Sequence, residues 1–74
     1  MIITIEQLKQ ILNAGGCLVI DASVMTFNQI RDLSTVAQNG TAKITVKNLS
    51  SMTAAQLTEL AALAPGLIVF DLTS

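Results

Sequence analysis

Few side chains in this sequence have the chemistry to act on a substrate. Histidine is absent, which excludes imidazole acid–base catalysis and histidine-ligated metals. Cys17 is the single cysteine, and no His or Lys lies near it in sequence to lower its thiol pKa. It reads as a small hydrophobe rather than a nucleophile. Thr4, Thr26 and Thr53 each have a glutamine three residues on, which makes them helix caps instead of hydroxyl nucleophiles. Gly15-Gly16 follows a helical pattern and precedes a strand-like one, the reverse order of a phosphate-binding loop. Asp21, Lys47 and Asp71 remain, at equivalent places in three strand-like runs. A lysine between two carboxylates reads as an acid–base–acid row on a sheet, suited to contact rather than to general acid–base catalysis. The expectation is a non-enzymatic chain with no catalytic, cofactor-binding or metal-binding residues.

The elements that would position this row emerge from an internal repeat. Thr4–Ile11, Thr26–Leu33 and Thr53–Leu60 all have the form T-x-x-Q-[LI]-x-x-[LI], with the threonines 22 and then 27 positions apart. Thr followed three places later by Gln is a capping box, in which each side chain satisfies a main-chain amide of the other residue. Aliphatics then recur at helical spacing: Ile5, Leu8, Ile11, Leu12; Ile30, Leu33, Val36, Ala37; Leu57, Leu60, Leu63, Ala64. This spacing predicts helices over 4–14, 26–38 and 53–64. Gly15-Gly16, Gly40 and Pro65-Gly66 follow, each read as supplying a left-handed helix stop.

After every glycine comes an aliphatic run with the alternation of a strand: 17–20, 42–46 and 67–72. One face would carry Leu18, Ile20 and Ala22, then Ile44 and Val46, then Ile68, Phe70 and Leu72. The other would carry Val19, Asp21 and Ser23, then Thr45 and Lys47, then Val69, Asp71 and Thr73. Ile2-Ile3 is read as a further partial strand. Helical connections between such runs require parallel pairing. The expected fold is therefore α/β, with a parallel sheet of three to four strands in sequential order. Three helices lie on one face, forming a short right-handed βα solenoid. A doubly wound sheet would bury both faces and read as continuous aliphatic runs, which these are not.

At 74 residues the chain is expected to form a single domain, 1–74, of about three α-β repeats at 4–22, 26–48 and 53–73. Apolar residues make up 51% and charged residues 12%, which excludes a disordered tail. Four Lys and Arg against five Asp and Glu exclude a basic nucleic-acid binder, so no nucleic acid is expected as partner. The longest apolar stretch, 61–70, is interrupted by Pro65-Gly66 and far short of the roughly 20 residues of a membrane span. A cytoplasmic location is expected, in keeping with a lone cysteine in a reducing compartment.

Two families come into view. Ile44-Thr45-Val46-Lys47-Asn48-Leu49 resembles the L-x-L-x-x-N-x-L motif of leucine-rich repeats of the ribonuclease-inhibitor kind, with Asn48 one place early. That resemblance implies a protein-interaction or self-assembly module. Leu18–Phe27 is similar to a strand and loop of the STAS domain, which would imply a STAS-like α/β signalling or regulatory module. That family's phosphoacceptor step would fall at Asn28-Gln29, so the module would lack its switch. A small inhibitor or immunity-type protein is a third reading, from size alone. The candidate partner-contact residues are Val19, Asp21, Thr45, Lys47, Val69 and Asp71. The expected partner is another protein or a further copy of the chain, docked through the 67–72 edge strand.

Overall fold

The computed structural model describes residues 3–73. The order of elements is α1 (Ile5–Asn13), β1 (Leu18–Asp21), α2 (Phe27–Gly40), β2 (Ile44–Lys47), a 3-10 turn over Leu49–Ser51, α3 (Ala54–Leu63) and β3 (Ile68–Phe70). Each α-helix begins at its predicted threonine. At Thr4, Thr26 and Thr53 the hydroxyl accepts from the glutamine amide at 3.2 Å, and the glutamine Oε1 accepts from the threonine amide at 2.9–3.0 Å. Two first-turn donors are thereby satisfied at each start, and the three repeats begin in the same way.

The strands pair in parallel and in chain order, β1-β2-β3. Leu18 stands opposite Ile44 and Ile20 opposite Val46; Ile44 and Val46 in turn face Ile68 and Phe70. These even-numbered side chains share one cluster with Leu12 of α1, Ile30, Leu33 and Ala37 of α2, and Leu60 of α3. The helices thus cover one face of the sheet. Ser34 is the buried polar residue of this layer, and its Oγ donates to the Ile30 carbonyl at 2.9 Å, so no hydrogen bond is lost.

Three expectations change. Gly40 does not stop α2; the helix runs through it, and Thr41 takes the left-handed conformation at φ 54°. The amide of Ala42 then closes on the Ala37 carbonyl at 2.9 Å, as in a Schellman ending. Gly15 and Gly66 do have positive φ, as a glycine stop requires. The last strand is shorter than 67–72, because the chain turns after Phe70 and leaves Leu72 77% exposed instead of on the covered face. The 27-residue spacing of the second unit, against 22, is absorbed by an α2 of 14 residues and by the 3-10 turn before α3. Of Ile2-Ile3, Ile2 lies outside the described residues, and Ile3 leads into the Thr4 cap without strand pairing.

Gly40 has a different task from the one its place in the repeat implied. A Cβ there would lie 2.0 Å from the carbonyl oxygen of Leu12 and 2.9 Å from its carbon. Those are main-chain atoms of α1 and cannot rotate away. Only glycine lets α2 cross so close to the end of α1.

Two predictions follow from these contacts. Gly40→Ala gains about 1 kcal/mol of helix propensity, but overpacking against a fixed main chain costs about 3 kcal/mol or more. The net result expected in chemical denaturation is a marked loss of stability; an unchanged or raised midpoint would refute the close crossing. Thr26→Ala and Thr53→Ala should each lose about 1 kcal/mol, read as a lowered melting temperature, and a double variant should lose the sum because the two caps share no partner.

Candidate functional site

The odd-numbered strand residues stand on the face away from the helices. Parallel register sets Val19, Thr45 and Val69 in one row across the three strands. In the next row Asp21 is opposite Lys47. Asp71 follows Phe70, the partner of Val46, and its amide donates to the Val46 carbonyl at 2.9 Å, which brings it alongside Lys47. The structure therefore gathers all six predicted contact residues on one side of the sheet. Val19 is 69% exposed and Val69 46%, whereas Thr45, Asp21, Lys47 and Asp71 are half-buried.

Asp21 is held by local bonds more than by its cross-strand neighbour. Asp21 Oδ1 accepts from the Ser23 hydroxyl at 2.6 Å and from the Ser23 amide at 2.8 Å. These two bonds, and to a lesser degree the Asn48 side chain, hold the Asp21 carboxyl below its ordinary pKa. Partial burial acts in the opposite sense, and the attraction of Lys47 is the smallest of these influences. Asp71 repeats the arrangement, its Oδ1 accepting from the amide and hydroxyl of Thr73. The cross-strand row exists in register, while Ser23 does most to fix the Asp21 carboxylate. Asn48, read from sequence as a leucine-rich-repeat asparagine, adopts a left-handed turn at φ 58°, and its side chain helps to keep the Asp21 carboxyl charged.

Sequence reasoning passed over two features of this end of the sheet. Asp21-x-Ser23 and Asp71-x-Thr73 form the same side-chain turn at the ends of β1 and β3, and the D-x-[ST] spacing was the available signal. Val24 is 77% exposed in the turn that leads from β1 to Thr26, and its composition carried no signal of that exposure.

No cavity is present among the described residues, and none of their Cys, Asp and Glu side chains gather in threes to hold a metal ion. Cys17 is exposed, with its sulfur free, at the approach to β1. No helix of the described residues is long and apolar enough to cross a membrane. No known protein family, curated protein or solved structure matches the chain.

The lowered pKa of Asp21 makes a prediction with a definite sign. A carboxyl with a depressed folded-state pKa adds stability above its ordinary value and loses that contribution as the pH falls through the depressed one. In an NMR titration the Asp21 carboxyl carbon should turn below the ordinary carboxylate midpoint. Ser23→Ala should raise that midpoint further than Lys47→Met does, since it removes the hydroxyl bond, the largest influence, while leaving the main-chain amide bond in place, and the lysine contributes only a screened charge. The reverse order would make the cross-strand charge the dominant influence.

Proposed function

We propose that this chain is a non-enzymatic protein-interaction module that docks its partner on the open face of the sheet. The observation that carries this reading is the pair of exposed valines, Val19 and Val69, flanking Thr45 in one row. Three β-branched side chains on a sheet present a flat surface stiff at χ1, which loses little rotamer entropy when it is covered. Asp21, Lys47 and Asp71 border it with alternating charge, which would set the orientation of a partner more than its affinity.

A short βα solenoid of the leucine-rich-repeat kind is the architecture that best accounts for the recurring capped helices and the in-order parallel strands. In such arrays each unit buries its apolar side on the next, and the sheet side is left to ligands. The STAS-like reading is less favoured, because it calls for a sheet of mixed direction with a central strand near the N-terminus. A cytoplasmic site of action accords with a single cysteine, Cys17, and no nucleic-acid partner is proposed for a chain of net charge −1.

The test is retention of partner from an extract of the native host on immobilised wild-type chain. The double variant Val19→Lys/Thr45→Lys places two charges in the middle of the row without touching the helix-covered core. Wild type should retain a discrete protein that the double variant fails to retain. Equal retention by both would rule out the open face as the docking surface.

A further inference from the structure

The third unit is less completely covered than the other two. Of the helix-facing residues, Ile44 and Val46 of β2 are both buried and β1 has Ile20 buried and Leu18 half-buried, whereas Ile68 and Phe70 of β3 are both half-buried. The helix above differs as well. The outer sides of α1 and α2 carry Glu6, Gln10 and Asn13, and Arg31, Asp32 and Gln38; α3 carries Ala54, Ala55 and Ala62 with Thr58 and Glu59. A helix so poor in polar cover is usually packed on more than one side.

The main chain of β3 points in the same direction. Leu67 and Asp71 bond to β2 through the Ile44 amide and the Val46 carbonyl, both at 2.9 Å. Alternation along a parallel ladder then turns the Val69 N–H and C=O toward β2 as well, and those of Ile68 and Phe70 away from it. Neither Pro, Lys nor a bulge guards this edge among Ile68, Val69 and Phe70.

We propose that a second copy of this chain covers the edge, β3 pairing with β3 antiparallel about a two-fold axis through Val69. This rests on the interaction-module reading above and names its partner at the β3 end. In this register Ile68 and Phe70 of one copy exchange main-chain hydrogen bonds with Phe70 and Ile68 of the other, using the groups that face outward. The two Val69 residues meet as a non-hydrogen-bonded pair on the open face, the two α3 helices abut on the covered face, and Asp71 falls opposite Leu67. Charge selects this arrangement over head-to-tail stacking of β3 on β1. Continuing the chain's own register would set Asp71 against Asp21 of the next copy, like charges on adjacent strands. A two-fold contact also closes, while a head-to-tail contact propagates without limit.

The experiment measures mass against concentration by light scattering, together with oxidative cross-linking in a Cys17→Ser background. Wild type should rise from 7.8 kDa toward twice that mass. Val69→Lys should return it to the monomer mass with an unchanged melting temperature, because it opposes two lysines at the axis of an otherwise exposed site. Directly opposed residues of a non-hydrogen-bonded pair have Cα atoms about 4.5 Å apart, within disulfide reach. Cys17→Ser/Val69→Cys should therefore form a covalent dimer readily under mild oxidant, and Cys17→Ser/Val19→Cys should not. A wild type that stays monomeric at every concentration overturns the proposal, as does cross-linking through Val69→Cys no faster than through Val19→Cys. Neither result bears on partner retention by the Val19–Thr45 row, which is read separately.

Discussion

The crossing of α2 over the end of α1 at Gly40 is the constraint on which the rest of the layer depends. Among the described residues α1 packs chiefly against α2. Gly40 admits the Leu12 carbonyl where any other residue would place a Cβ 2.0 Å away. With α1 drawn in at that point, Leu12 is fully buried beside Ile30, Leu33 and Ala37, and Ile20 of β1 is covered from above. α2 then serves as the central helix, packed on α1 at one side and α3 at the other. A sheet of three short strands has too little area to hold three helices by itself, so helix-to-helix contact carries much of the burial.

The same division of labour leaves the other side of the sheet available. Every helix of the described residues lies on one face, so no element among them covers the row of Val19, Thr45 and Val69 or the charged row beside it. Local turns at the strand ends keep those charges in place. Ser23 and Thr73 hold the carboxylates of Asp21 and Asp71 through bonds two residues away along the chain. The carboxylates of this surface are consequently fixed in place by their own strand ends.

Much of this arrangement was legible in the residues. The capping boxes at Thr4, Thr26 and Thr53 fixed the helix starts to within a residue, because a side chain that must reach an amide three residues away leaves little freedom. Alternation in Leu18–Asp21 and Ile44–Lys47 assigned the two faces correctly, since a strand has a period of two and the helices require one apolar face. The site followed from that alternation alone. Its bonding did not: nothing in the pattern distinguished a carboxylate paired across strands from one held by a serine two residues on.

What the sequence by itself determined, then, was local: where helices begin, which strand residues point together, and that connections of this length join parallel neighbours. Tertiary structure decided the role of Gly40, the end of β3 at Phe70 and the exposure of Leu72. Each of these depends on an atom far away along the chain. Glycine at a helix end serves equally as a left-handed stop or as a gap for a neighbouring backbone, and only the position of the Leu12 carbonyl separates the two. A strand likewise continues only while a neighbour offers partners, and β2 ends at Lys47, so β3 has no ladder left to extend beyond Asp71.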